Sequence, residues 1–294
     1  MNEDTALPRP RTAGNENTAL IKLIAIFFML VDHVGVVFFN ARSGLCCHEP
    51  WYDVNVYYTL RGLGRLGMPL FCWGIVVGTE YTGNIWKYLL RIVIVGVISQ
   101  PCFMIGLNHG WTQLNVFPTL ALGVLAIAGI RWKRWGSHIW LPILAVFLSL
   151  IIEMDYGWRG VAMILILYAC RKNRGALAAG FVAYCLYLGL VYGSYPSLYG
   201  VTPAMLRVEW TRVGSSSGTL VLGDLTALFF QVEFQAIYAL PLILIPMKKK
   251  GRIPKWIGYS VYPLHLLVLG VIRHWGEIVQ TVTSWLGTGT TPPV

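Results

Sequence analysis

Charge is what this chain has least of. Only 12% of its 294 residues are Asp, Glu, Lys or Arg, about half the share carried by an average soluble protein, which excludes a soluble globular domain. Acidic side chains are the scarcest, 13 against 23 Lys and Arg. In a soluble protein the resulting formal charge of +10 would suggest nucleic acid; in an apolar chain it first signals membrane topology, and no nucleic-acid partner is expected. Cysteine is sparse and unpatterned. Cys72, Cys102, Cys170 and Cys185 lie inside apolar stretches, where Cys behaves as a small hydrophobe. Cys46 and Cys47 adjoin His48, Glu49 and Asp53, but without CxxC or HxxxH spacing no metal is expected there. The first 18 residues have no apolar core and no small-residue cleavage pattern, so they read as a flexible cytoplasmic tail instead of a signal peptide.

What the chain has in abundance is apolar sequence, 56% of residues. Runs near the length needed to cross a bilayer, about 20 residues, occupy 19–39, 63–80, 87–107, 115–130, 138–153, 159–170, 176–193, 222–246 and 256–273. The expected fold is therefore all-α: a polytopic helical membrane protein with about nine transmembrane helices. It divides into a tail at 1–18, one transmembrane domain at 19–273 and an outer tail at 274–294. The run at 159–170 is short, and Pro241 should kink or end the long run at 222–246. With the amino terminus inside, the loops holding Arg131, Lys133 and Arg134, then Arg171, Lys172 and Arg174, then Lys248, Lys249 and Lys250 all fall inside. That agreement is the positive-inside rule met three times, and it points to multi-pass insertion in a lipid bilayer with the amino terminus cytoplasmic. Long outer loops are expected at 40–62 and 194–221.

Ionisable residues within a span are costly and face a bundle interior or cavity. Asp32 and His33 lie in the first run, about 20 Å from its inner end. Neighbours on a helix point about 100° apart, so Asp32 is expected to pair across helices, with Arg65 as its partner. That pair has two readings, a structural tie or part of a catalytic site. Gly62, Gly64 and Gly67 match GxGxxG by spacing, but no strand precedes them; they let helices approach closely. His265, in Tyr262-Pro263-Leu264-His265, lies mid-span, where it could bond a neighbouring backbone or, if near Asp32 and His33, carry protons or activate a nucleophile. Glu233 interrupts the eighth run, and with Asn115 it is a candidate for lining a polar cavity. Glu153, Asp155 and Arg159 bracket an outer turn and are expected to pair in the open.

Several pieces resemble the TraX family, inner-membrane acetylases of conjugative pilin. They are Leu30-Val31-Asp32-His33, Gly64-Arg65-Leu66-Gly67-Met68-Pro69-Leu70-Phe71, Lys87-Tyr88-Leu89-Leu90-Arg91, Asn115-Val116-Phe117-Pro118-Thr119, Asp155-Tyr156-Gly157-Trp158-Arg159-Gly160 and Tyr262-Pro263-Leu264-His265. Together they run from about 20 to 273. Where relatives have a Ser-Glu-Ile-Pro-like stretch, this chain has Ser99-Gln100-Pro101. The loop at 194–221 has no counterpart in the pattern.

The resemblance implies an acyltransferase that moves acetyl from cytosolic acetyl-CoA to the amino terminus of a pilin subunit. It makes His33 the expected base, with Asp32 and Arg65 holding the site, Arg65 alternatively stabilising the oxyanion, and His265 binding the thioester or relaying the acetyl group. The His of the last span is also similar to one in broader membrane acyltransferase families. Arg131, Lys133, Arg134, Arg171, Lys248, Lys249 and Lys250 could hold the phosphates of CoA through charge-assisted hydrogen bonds, or serve topology alone. Two other classes compete: a secondary transporter, with Asp, His and Glu as a proton path, and a non-enzymatic assembly factor for a conjugative pilus. No inverted repeat supports the transporter.

Overall fold

The computed structural model describes residues 12–40, 44–49, 52–192, 234–247 and 254–279. It is an antiparallel helical bundle in which successive long elements run up and down: α1 (Thr18–Phe39), α2 (Val54–Gly64) continued by α3 (Gly67–Tyr81), α4 (Ile85–Leu107), α5 (Val116–Trp132), α6 (Ser137–Ile151), α7 (Gly157–Cys170) and α8 (Arg174–Tyr192). A 3₁₀ turn at Phe234–Ala239 then leads into the short α9 (Leu240–Leu244), and α10 is Lys255–Arg273. Pro241 stands in the first turn of α9, where the winding changes. Glu233, Lys248, Lys249 and Lys250 lie outside the described residues, as do residues 222–233 of the 222–246 run. The protein is a helical membrane protein: α1, α2 with α3, and α4 are long and apolar enough to cross a bilayer, and Phe27, Val97, Ile98, Ile143, Phe147 and Leu150 point outward from the bundle, as lipid-facing residues do.

Local chemistry sets the helix ends. The side chains of Asn17, Asp53, Asn84 and Asn115 each accept a backbone N–H in the first turn of the helix they precede, satisfying donors that have no partner in the helix. Asp53 is the unexpected cap. It begins a helix at Val54 within the stretch read as an outer loop, so the second crossing is 28 residues long, broken at Arg65-Leu66. α3 is buried on nearly all sides, through Leu70, Trp73, Val76 and Val77, and is the centre of the bundle. α10 packs on α4 and α1. α4 and α10 touch at Gly106, where an added Cβ would come within 2.6 Å of the Leu266 carbonyl oxygen, the close backbone contact that small residues permit in membranes.

The segment before α1 is not a loose tail over its described part. Trp73 Nε1–H donates to Asn15 O at 2.7 Å, Ala13 N–H to Arg171 O and Asn15 N–H to Ile243 O at 2.7 Å each. Glu16 accepts from Thr12 and from Tyr81 Oη. Composition alone reads these polar residues as solvated; the indole, hydroxyl and carbonyl partners that tie residues 12–17 down come from three other helices.

Candidate active site

Two turns build the floor of the site. Asn115 Nδ2–H donates to Gly96 O at 2.8 Å and to Gln100 Oε1 at 2.9 Å, and Gly96 lies about 17 Å along α4, near its middle. The turn from α4 to α5 therefore dips into the bundle. There Leu114 N–H donates to Glu153 O and Asp155 N–H to Leu114 O, both at 2.9 Å, which fastens the α6–α7 turn alongside. α5, α6 and α7 have 17, 15 and 14 residues, about 21–26 Å, short of a hydrocarbon core of about 30 Å. Above their ends opens a cleft of about 680 Å³, walled also by α1, α2 and α4. It lies at the end of the bundle opposite Thr18 and opposite the loops with Arg131 and Arg171.

At the cleft's deep end His33 and His265 meet. His33 Nδ1 is 2.6 Å from His265 Nε2, and the rings are within 5° of parallel with centroids 4.9 Å apart, so they meet through their edges. His265 Nδ1 is 2.8 Å from Val261 O. A carbonyl only accepts, so His265 carries its proton on Nδ1 and offers a lone pair at Nε2; His33 must then donate from Nδ1, which leaves the lone pair of His33 Nε2 free.

The expected partner of Asp32 is corrected. Its carboxylate pairs with Arg61, not Arg65. Gly64 lets Asp32 approach α2 closely, since an added Cβ there would come within 2.3 Å of the Asp32 Cβ, and Arg61, one turn before Arg65 on the same helix, reaches the carboxylate. Arg65 turns to α7: its Nη1–H donates to Tyr156 Oη at 3.2 Å, and its guanidinium lies 5.8 Å from that ring's centroid. Tyr156 is held at φ +63°, a left-handed conformation that costs a bulky residue about 1–3 kcal/mol and aims its ring at Arg65.

Asp155, expected in an exposed pair, lines the cleft with Asp32. Burial, then the charge of Asp32, raise its pKa from 3.8 to about 6, against the pull of Arg65 and Arg61. His109, at the rim, is held below its ordinary value by burial and by Arg273.

Asn115 does not line the cleft: its Oδ1 caps α5 and its amide is spent on α4. Among the basic loop residues, Arg131 donates to Thr79 O, and Arg171 pairs with Glu80 at 2.9 Å while lying 3.6 Å over the Tyr168 ring. Both are tied to the bundle. Lys133 and Arg134 remain exposed.

Arg61, Asp155, Tyr156 and Tyr262 belong to the site and were not expected there from the sequence. Arg61 could have been found by continuing the helical period of Arg65 back one turn. The others depend on how the turns dip.

The fold and this cleft define a polytopic helical membrane protein with a histidine pair bridging its first and last described long helices. The chain belongs to the TraX family, whose model, described as TraX protein, matches residues 17–273. It is also 30% identical over 197 residues, 63% of this chain and 75% of the relative, to the probable fimbrial assembly protein FimC, serogroup H1, of Dichelobacter nodosus. No solved structure matches.

Proposed function

We propose that the chain is an acetyltransferase of the bacterial inner membrane, moving an acetyl group from cytosolic acetyl-CoA to the N-terminal amine of a pilin subunit. The observation that carries this reading is the free lone pair of His33 Nε2, held in a polar cleft by the chain Val261 O, His265, His33. An amine must lose a proton to form an amide, and an imidazole is the usual base near neutral pH. The amine nitrogen attacks the thioester carbonyl carbon, a C–N bond forms, and the C–S bond breaks. The proton lost by nitrogen passes to His33 Nε2 and then to the departing sulfur. His265 is a positioning residue: it fixes the tautomer and plane of His33. The Asp32–Arg61 pair anchors α1 to α2 next to this ring.

Orientation follows from the basic loops. With the ends at Arg131 and Arg171 in the cytosol, the cleft opens outward, where the acceptor amine would enter, and Lys133 and Arg134 are placed to meet anionic phosphates inside. The test is the intact mass of a co-expressed pilin. A gain of one acetyl unit at its amino terminus, lost with His33→Gln, is expected; unmodified pilin beside abundant folded protein would sink the reading in favour of a transporter or an assembly factor.

A further inference from the structure

The cleft is not the whole of the internal space. Behind it lies a chamber of about 40 Å³ that shares Asp32, His33, Asp155 and Tyr156 with the cleft. Behind that, toward the basic end, an apolar slot of about 90 Å³ shares Met29, Phe71, Val116 and Tyr262 with the chamber. The slot runs between α1, α3, α4, α5 and α10 to Lys22, Tyr88 and Gly258, all within the first two turns or so of helices that start at the basic end. Three spaces in series thus lead from that end to the outer cleft, and His33 stands where the chamber meets the cleft.

Their chemistry differs along the path. The slot is lined mostly by aliphatic and aromatic side chains with a cation, Lys22, at its mouth. The chamber holds two buried polar atoms without a hydrogen-bond partner among the described residues, Asp32 Oδ1 and Tyr262 Oη. Tyr262 is 6% exposed, and its ring lies 5.5 Å from that of His265 and 6.3 Å from that of His33. An unpartnered buried hydroxyl is costly to leave so, and a hydroxyl facing a space that could hold two or three waters is a donor waiting for an oxygen.

We infer that the acyl donor, a thioester on a slender arm ending in a phosphorylated head, enters from the basic face through the slot and presents its carbonyl oxygen to Tyr262 Oη, while the amine arrives from the outer cleft. This rests on the acetyl-transfer reading and adds where each reactant enters and what receives the developing oxyanion. Tyr262 gives a hydrogen bond that strengthens as the carbonyl oxygen gains charge; it gives up no proton, so the proton balance remains that of the amine, His33 and the sulfur. The chamber's size suits a two-carbon acyl group.

Gly74 supplies the test. It lines the slot, and a Cβ built there meets no atom within 4 Å, so a side chain can start from this position toward the slot, which Gly74→Leu is chosen to fill. Acetyl-CoA binding to the full chain in nanodiscs should fall at least about tenfold in G74L, with unchanged thermal stability. Transfer from S-acetyl-N-acetylcysteamine, short enough to enter by the cleft, should persist. Tyr262→Phe keeps the ring and should bind acetyl-CoA normally while kcat falls about a hundredfold, the loss of one oxyanion donor. Wild-type affinity and turnover with acetyl-CoA in G74L would overturn the passage. Binding that G74L abolishes supports it even where pilin is not acetylated, a result that overturns only the acceptor reading above.

Discussion

His33 on α1 and His265 on α10 share one hydrogen across 2.6 Å, and the second nitrogen of His265 is already committed to Val261 O. The two histidines are therefore unequal. Only His33 has a nitrogen free for a reacting group, so His33→Gln should lose about a hundredfold or more in pilin acetylation, as expected for loss of a general base. His265→Gln retains an acceptor for the His33 proton and should keep most activity, whereas His265→Leu should fall with His33→Gln. With acetyl-CoA and no pilin, mass spectrometry should find no acyl-histidine, because the amine attacks the thioester directly and His33 takes only its proton. An acetyl group trapped on residue 265 would reverse the assignment.

The ion pair that ties α1 to α2 offers an energetic test. Breaking a fully buried pair by removing one member costs about 3–5 kcal/mol, because the other charge is stranded; this pair is partly buried at the cleft wall, so its cost falls below that range. Asp32→Asn and Arg61→Gln should each lower the unfolding temperature in detergent strongly, and the double variant should recover part of the loss. The coupling between positions 32 and 61 should far exceed that between 32 and 65 in a double-mutant cycle. Equal couplings would mean that Arg65 is the partner after all.

Much of the bundle was legible because its signals are local. Apolar runs, asparagine caps and basic loops mark α1, α4, α5, α6, α7, α8 and α10 to within a few residues. Their place inside apolar runs brought His33 and His265 to notice, and the structure brings them together. What escaped is long-range. Residues 54–62 lack the hydropathy of a lipid-facing run because α2 packs on α1 and turns polar side chains to the cleft; Arg61 was lost with it. Asp155 reads as a surface acid until the turn that carries it is seen bonded to Leu114 inside the bundle. Asn115 and Arg171 show the converse, polar residues whose bonds are consumed by the fold.

Asp155 predicts a pH dependence of stability. Its pKa is raised from 3.8 to about 6 in the folded protein, so between those values the folded state binds more protons than the unfolded state, and stability falls as pH rises. This contribution is fully present below pH 3.8 and lost above about 6. Asp155→Asn, which removes the charge and keeps the shape, should raise the unfolding temperature relative to wild type at pH 7.5, and the difference should shrink as pH falls below 6. A difference that is constant with pH would mean that the carboxylate ionises as freely in the cleft as in the unfolded chain.

Orientation can be decided independently of catalysis, because the cleft and the basic loops are at opposite ends of the bundle. Trp111, in the turn that floors the cleft, is 81% exposed, and Lys133, after α5, is exposed at the other end. In a background with the native cysteines replaced, Trp111→Cys should react with an impermeant maleimide added to spheroplasts, and Lys133→Cys only after the membrane is opened. That outcome follows if Arg131, Lys133 and Arg134 hold their loop in the cytosol. The reverse pattern would turn the protein over, leaving the fold intact but placing the cleft on the side where acetyl-CoA is made. Donor and acceptor would then have to exchange faces, and the route through the Lys22 slot would lead from the wrong compartment.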